Sequence, residues 1–233
     1  PVTELITGID LVEQMIKIAY GNKLEISQND IRLNGSAIET RIYAENPYKN
    51  FLPSIGRLTK YNPPKEMEHL DGTIIRNDTG VREGDEISMF YDPMIAKLCS
   101  WGKTRDLSIN RMESALDNFL LEGIDQNISF LSAILANERF KSGDISTAFI
   151  DEEFKEGFQG IIPNKQLEWT LGSLVLAYHI FEISKNFEIL ENIQLSAEWE
   201  VYLHYKPSPQ NPSKLKFITN KDNLNLPFVR VKP

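Results

Sequence analysis

The sequence predicts an α+β fold, in which an antiparallel sheet with flanking helices precedes a long helix and further strands. Residues 36–45 alternate between apolar and polar side chains, as a half-buried strand does. Residues 107–121 carry the apolar stripe of an amphipathic helix, and residues 165–187 form a helical pattern that is apolar around most of its circumference. A chain of 233 residues, 41% of them hydrophobic and 25% charged, can bury a core of this kind.

The first predicted element is an amphipathic helix over residues 8–20. Its apolar residues recur at helical spacing, and Gly21 stands where a helix C-cap is expected. A polar connector, residues 22–34, leads to the strand at 36–45. The strand pattern places Ile38, Thr40, Ile42 and Ala44 on one face and Glu39, Arg41, Tyr43 and Glu45 on the other.

The next stretch reads as short strands and turns. Prolines and glycines divide residues 47–64 into loops and short strands. Residues 73–87 contain Gly80 and Gly84 as turn residues, a pattern that predicts antiparallel hairpins. The apolar run over residues 95–101 predicts a buried strand.

The clearest helix of the pattern covers residues 107–121. Thr104 precedes it as a candidate N-cap, and Gly123 follows it as a candidate stop. Residues 127–136 predict a second, shorter helix. Two helices beside several antiparallel strands are typical of an α+β domain.

A domain boundary is predicted near residue 150, where the composition changes. Residues 151–156 are acidic, and glycines and a proline follow them. The helix at 165–187 needs cover on nearly all sides, yet only three strands are predicted to follow it, so this second unit looks incomplete. Those strands are residues 199–205, 215–218 and 228–231.

Composition excludes several classes of function. A net charge of -8 without a concentrated basic patch is unsuited to binding nucleic acid. No apolar run approaches the roughly 20 residues that cross a bilayer, so no membrane partner is expected. The single cysteine, Cys99, lies in an apolar run and is expected to be a buried thiol.

The residues by themselves indicate no common catalytic motif. The three histidines, His69, His179 and His204, show no paired ligand spacing, so no metal site is predicted. No glycine-rich phosphate loop and no serine or cysteine nucleophile motif is present.

Two charged residues carry more information than the rest. Arg41 lies in mid-strand between Glu39 and Glu45, where carboxylates can steer a guanidinium toward an oxyanion. The alternative is a solvated strand face with salt bridges worth about 0–1 kcal/mol each. Asp92 stands at a turn before the buried strand, where it is either a functional acid or a simple turn cap. The pattern alone leaves both choices open.

Several blocks of sequence resemble the biotin carboxylases, in the order that this family has. Residues 35–47 (GSAIETRIYAENP) resemble its GHAxExRIxAEDP motif, and residues 51–58 (FLPSIGRL) resemble its FLPSPGxI segment. Residues 90–98 (FYDPMIAKL) are similar to YYDxMIxKL, and residues 1–11 (PVTELITGIDL) to the PVTExxTGxDL that follows the family's catalytic segment. The details are most similar to the branch that acts on propionyl-CoA.

The resemblance implies a division into three parts. Residues 1–33 would be the end of the ATP-grasp region, and residues 34–155 the biotin carboxylase C-terminal domain. Residues 156–233 would hold a linker, the long helix and a partial antiparallel β-barrel of the BT domain, which contacts a partner subunit in this family.

The resemblance also implies a chemistry. Biotin carboxylases use ATP, Mg²⁺ (or Mn²⁺) and bicarbonate to carboxylate biotin, and Arg41 occupies the family position that stabilises the developing charge on the ureido oxygen. Arg41 would also contact biotin or bicarbonate. Glu39, Glu45 and Asp92 would support it, and Thr147 would lie near the adenine of ATP.

Parts of the complete enzyme are expected to lie outside this chain. These are the ATP-grasp lobe with the metal ligands and general base, and the biotinyl lysine. The expected partners are a carboxyltransferase beta subunit and a biotin carboxyl carrier domain, in a bacterial cytoplasm or a mitochondrial matrix. The alternatives are a 3-methylcrotonyl-CoA or acetyl-CoA carboxylase subunit, or a non-catalytic module for subunit interaction.

Overall fold

The computed structural model of the chain describes residues 1–160, 163–185, 198–203, 213–219 and 229–231. The chain divides into two units, Pro1–Phe158 and Gln159–Pro233. Within the described residues the helices are α1 (Val2–Thr7), α2 (Leu11–Ala19), α3 (Arg105–Asp117), α4 (Ile128–Ala136), α5 (Glu138–Ser142), α6 (Phe149–Glu153) and α7 (Lys165–Lys185).

The strands of the first unit are mostly short. The long ones are β1 (Ser36–Tyr43), β7 (Ile74–Thr79) and β9 (Met94–Gly102). The short ones are β2 (Glu45–Asn46), β3 (Leu52–Pro53), β4 (Gly56–Arg57), β5 (Lys60–Asn62), β6 (Met67–Glu68), β8 (Glu86–Ile87) and β10 (Leu120–Glu122). The second unit contributes β11 (Glu198–Leu203), β12 (Ser213–Thr219) and β13 (Val229–Val231).

The first unit is built on a four-stranded antiparallel sheet with the order β1-β9-β7-β6. This confirms the predicted α+β class with an antiparallel sheet and flanking helices. Helix α3 packs on one face of the sheet. The apolar residues between them are buried and include Ile38, Ile42, Ile75, Leu98, Ile109, Met112 and Leu116. Burial of each such side chain contributes about 1.5–3 kcal/mol, so this layer accounts for most of the unit's core.

Helix α3 (Arg105–Asp117) begins directly after the predicted cap, slightly before the predicted range of 107–121, and ends before the end of that range. The hydroxyl of Thr104 accepts a hydrogen bond from the amide of Leu107 at 3.3 Å, which confirms the predicted N-cap. Leu120 and Leu121, predicted as helix, instead belong to strand β10, which pairs with β5. The prediction was wrong there because Phe119 packs edge-on against Tyr61 and draws the chain into a strand pair.

Gly123 follows that strand and is not a helix stop. Its φ is 102°, a left-handed conformation that favours glycine. An added Cβ would overlap the carbonyl oxygen of Arg57. A close backbone approach therefore requires glycine here, which the sequence pattern could not reveal.

The N-terminal helix is shorter and more exposed than predicted. Helix α2 spans Leu11–Ala19, and the carboxylate of Asp10 caps it by accepting from the amide of Glu13 at 2.8 Å. Val12 and Ile16, two of the apolar residues at helical spacing in this segment, are 59% and 54% exposed. The preceding helix α1 was not predicted from the pattern.

The predicted hairpins over residues 73–87 were wrong. Strand β7 pairs with β9 and β6, whereas β8 pairs with β4. Strand β9 is long enough to pair with β7 over six residues, Ile74–Thr79 against 96–101. A local hairpin with β8 would pair only two residues, because β8 is two residues long. The predicted buried strand at 95–101 is confirmed as β9.

The second unit contains helix α7 and a three-stranded antiparallel sheet, β11-β12-β13. Helix α7 contacts each of these strands, and Leu176 and Leu215 are buried. Other apolar side chains of α7 are exposed, among them Leu174 at 62% and Val175 at 54%. Tyr205 and Phe228, placed in predicted strands, lie outside the described residues. The partial barrel stays a prediction.

We expect Ile42→Ala to destabilise the first unit by about 2–5 kcal/mol, because Ile42 is fully buried between the sheet and α3. Urea unfolding of the chain, followed by tryptophan fluorescence, measures the change. Ile55→Ala is the matched control, since Ile55 is 58% exposed. Equal effects of the two substitutions would contradict the described packing.

Candidate functional site

The face of the sheet opposite α3 is charged, and we call it the polar face. Alternation along each strand sends the side chains at every second position to this face. The register pairs Arg41 with Lys97, and Lys97 with Asp78 on the other side. One row along, Cys99 lies between Glu39 and Arg76. The polar face thus consists of Glu39, Arg41, Arg76, Asp78, Lys97 and Cys99.

Arg41 stands near one edge of the polar face. Its Nε donates to Oε1 of Glu39 at 3.0 Å. This carboxylate, followed by Tyr43, raises the pKa of Arg41 above its ordinary value. The Arg41 side chain is 58% exposed, whereas that of Glu39 is 17% exposed. The better-buried glutamate therefore anchors a guanidinium that still presents much of its surface to solvent.

Asn127 fixes the backbone of the strand that carries Arg41. Its Oδ1 accepts from the amide of Tyr43 at 3.0 Å, and its Nδ2 donates to the carbonyl of Arg41 at 3.1 Å. Its own amide donates to the carbonyl of Tyr43 at 3.3 Å. Sequence reasoning missed this role, because the contact joins residues more than eighty positions apart.

Glu45 does not continue the row of Glu39 and Arg41, contrary to the expectation that it helps to orient the guanidinium. The β1–β9 register shifts between Ile42 and Tyr43, and Glu45 belongs to the separate strand β2, paired with β3. No hydrogen bond or ion pair joins Glu45 to Arg41 among the described residues. Partial burial, and after it the charge of Asp92, raises the pKa of Glu45.

Asp92 lies at the turn before β9, as predicted, and is exposed. Its Oδ1 accepts from the amide of Met94 at 2.8 Å, which is a turn-capping contact. Its carboxylate also influences Glu45 electrostatically. The turn-cap reading is therefore satisfied by the structure, and Asp92 and Glu45 form an acidic pair beside the end of β1.

Arg76 ties helix α1 to the polar face. Its Nη1 donates to Glu4 at 2.6 Å, and its Nε and Nη2 donate to the two oxygens of Asp78 at 2.7 and 2.9 Å. The guanidinium lowers the pKa of Glu4. A bidentate contact plus a second carboxylate holds this cation firmly in place.

Cys99 is fully buried within the polar face, as predicted for a structural thiol. Burial, followed by the charge of Glu39, raises its pKa to about 12. The thiolate is the reactive form, so this cysteine is not a nucleophile at neutral pH.

Thr147 is exposed on the connection between α5 and α6. No recorded contact among the described residues joins it to Arg41, so the structure does not bring these two candidate residues together. The described part of the chain also contains no group of three His, Cys, Asp or Glu side chains placed to hold a metal ion.

Residues 39–152 match the family described as the biotin carboxylase C-terminal domain. The propionyl-CoA carboxylase alpha chain of Ruegeria pomeroyi is 51% identical over 200 residues, which cover 79% of this chain and 29% of the relative. The mitochondrial propionyl-CoA carboxylase alpha chain of Homo sapiens is 43% identical, over 88% of this chain and 29% of the relative.

Residues 39–152 form a biotin carboxylase C-terminal domain. The predicted resemblance is thereby confirmed, and the matched residues include Arg41 and all of the four-stranded sheet except the first three residues of β1.

Solved biotin carboxylases share the fold. The biotin carboxylase domain of a thermophilic 2-oxoglutarate carboxylase, bound to bicarbonate, is 40% identical with a TM-score of 0.61, over 65% of this chain and 33% of that chain. A complete multifunctional pyruvate carboxylase from Rhizobium etli is 34% identical with a TM-score of 0.63, over 71% of this chain and 16% of that one.

The present chain spans less than a third of the length of these alpha chains. It spans about a third of the 2-oxoglutarate carboxylase domain and 16% of the pyruvate carboxylase. In the part of the chain that the structure describes, no helix is both long and apolar enough to cross a bilayer.

We expect Asn127→Ala to cost about 1–3 kcal/mol of unfolding free energy, because it removes the side-chain partners of a part-buried amide and a part-buried carbonyl of β1. Urea unfolding and hydrogen exchange of the Tyr43 amide measure the effect, and exchange should accelerate. Asn118→Ala is the control, since its side chain makes only an exposed bond to the carbonyl of Ser114. Unchanged exchange at Tyr43 would contradict the bracing role.

Glu45 predicts a dependence of stability on pH. A raised pKa means that the folded state holds this proton more tightly than the unfolded state, so stability is lost as pH rises through the pKa of Glu45. We expect Glu45→Gln to gain stability relative to the unmodified chain as pH rises from below the ordinary glutamate range to neutrality.

The cause of the shift can be tested separately. Asp92→Asn keeps the acceptor for the amide of Met94 and removes the charge, so the pKa of Glu45 should fall. Carboxyl carbon NMR titration measures it, with Asp106→Asn at an exposed position as control. A pKa that responds equally to both substitutions would refute the described pairing.

Proposed function

We propose that this chain is part of the biotin-carrying alpha subunit of a propionyl-CoA carboxylase, a ligase. Alpha chains of that name are similar to it at 43–51% identity and over most of its length. The proposed reaction is ATP-dependent carboxylation of biotin by bicarbonate, after which the carboxyl group passes to propionyl-CoA to form methylmalonyl-CoA.

The observation that carries the proposal is the placement of Arg41. A guanidinium anchored by Glu39 on a strand braced by Asn127 is a preorganised donor that remains open to a ligand. Removal of the proton from N1 of biotin leaves negative charge on the ureido oxygen. A fixed cation aimed at that oxygen stabilises the charge as it develops, which is the logic of an oxyanion hole.

The cofactors of the proposed reaction are biotin, ATP and Mg²⁺ or Mn²⁺. A related 2-oxoglutarate carboxylase domain is described in complex with MgADP, ADP and bicarbonate. Within this chain, Arg41 would contact biotin or bicarbonate, and Thr147 would lie near the adenine. Glu39 supports Arg41 directly, whereas Glu45 and Asp92 would act at a distance through their charge.

The proposed partners are a carboxyltransferase beta subunit and a biotin carboxyl carrier domain. We propose that α7 and the sheet β11-β12-β13 form part of a BT domain for the first of these. The exposed apolar side chains of α7 support a docking role for this unit. Mitochondrial and bacterial relatives support a matrix or bacterial cytoplasmic location.

Specificity for the acyl group is proposed from likeness alone. A pyruvate carboxylase subunit from Methanothermobacter thermautotrophicus is also 45% identical over 152 residues, which supports a choice of acceptor outside the C-terminal domain. Co-purification of a completed alpha chain with alternative beta subunits would decide between propionyl-CoA, 3-methylcrotonyl-CoA and acetyl-CoA.

We expect Arg41→Ala to lower the rate of biotin-dependent ADP release by about 100–1,000-fold, the cost of removing one oxyanion donor. The measurement uses an alpha chain made complete by joining this segment to the missing parts of a relative. The segment by itself should release no ADP in response to biotin.

Arg82→Ala is the matched control, since Arg82 is exposed on a loop away from the polar face. It should retain the rate of the unmodified protein. Full activity of Arg41→Ala would overturn the assigned role of this arginine.

A further inference from the structure

Positive and negative charges are distributed unevenly across the polar face, with the carboxylates concentrated around Arg76. Arg76 is neutralised by two carboxylates, those of Glu4 and Asp78, and both oxygens of Asp78 accept from it. Asp78 lies directly opposite Lys97 in the sheet but is engaged by Arg76. The half of the polar face around Arg76 therefore has an excess of negative charge.

The other half has an excess of positive charge. Lys97 is half-buried on β9, and no carboxylate lies within ion-pair distance of its ammonium among the described residues. Arg41 lies directly opposite it on β1, with Glu39 as its one recorded carboxylate partner.

Two like charges at directly opposed positions destabilise a sheet, because their Cβ atoms are about 4.5–5.5 Å apart. Partial burial strengthens the repulsion, since the effective dielectric constant is lower than in water. A pair of cations arranged in this way is stabilised when an anion lies between them. An anion that binds there gains from both charges and relieves the repulsion.

We propose that Lys97 is a second cation of the Arg41 site, and that the two side chains together hold a small planar oxyanion. The chemical class is a carboxylic oxyanion, either free bicarbonate or the carboxylate of carboxybiotin. This inference rests on the proposed function. The guanidinium of Arg41 supplies a planar fork and the ammonium of Lys97 supplies a point charge, which can grip one oxyanion from two sides.

The test uses the completed alpha chain and steady-state kinetics. Lys97→Met should raise KM for bicarbonate by at least about tenfold, as expected for loss of one charge-assisted contact. KM for ATP should stay unchanged. Lys97→Arg should restore most of the loss because it restores the charge. Lys103→Met, at an exposed position on the loop after β9, is the control.

Two arms separate the possible sources of the anion. In the forward direction, a raised KM for bicarbonate indicates the free ion. In the reverse direction, ATP formation from carboxybiotin, ADP and phosphate measures the carboxylate, and a raised KM for carboxybiotin indicates that source. Unchanged KM values in both arms for Lys97→Met would overturn the proposal. If Arg41→Ala also remained fully active, the proposed function would fail with it.

A second measurement needs no catalysis and uses the chain itself. At low ionic strength, Lys97→Met should raise the midpoint of thermal unfolding, because it removes the repulsion from Arg41. The gain should shrink in an Arg41→Met background and at high salt. Equal effects of Lys97→Met in the two backgrounds would show that the two cations do not interact, and would refute the premise of the proposal.

Discussion

The antiparallel pairing of β1 with β9 is the constraint on which the rest of the first unit depends. In this register Ile42 and Leu98 lie in the core under α3, while Arg41 and Lys97 lie on the polar face. A slip of one residue would exchange the two faces and bury the charges. The free energy gained by burying Ile42 and Leu98 therefore also keeps the side chain of the candidate catalytic Arg41 on the polar face.

Side-chain contacts refine what the sheet sets. Glu39 holds the guanidinium of Arg41 within its own strand, and Asn127 joins that strand to the start of α4. Arg76 joins the same face to α1 through Glu4. The polar face thus combines a rigid backbone with two guanidinium groups, those of Arg41 and Arg76, that carboxylates hold in place.

Under the proposed function, the polar face supplies only part of a reaction centre. The described residues contain no group of His, Cys, Asp or Glu side chains placed to hold a metal ion, and the chain spans under a third of its alpha-chain relatives. The proposed chemistry therefore assigns charge stabilisation to this chain, and it assigns nucleotide binding and proton transfer to other parts of the subunit.

Local sequence pattern determined strand β1 with its apolar and polar faces, the buried strand β9, the N-cap at Thr104 and the long helix α7. The family motifs pointed to Arg41 as a candidate site residue. These depend on side-chain periodicity and short motifs, which are properties of neighbouring residues. The partners of β7 and β8, the early end of α3, the bracing by Asn127 and the separation of Glu45 from Arg41 were decided by tertiary structure. Each of these depends on pairing between residues far apart in the chain, where competition among possible partners, and not local preference, sets the outcome.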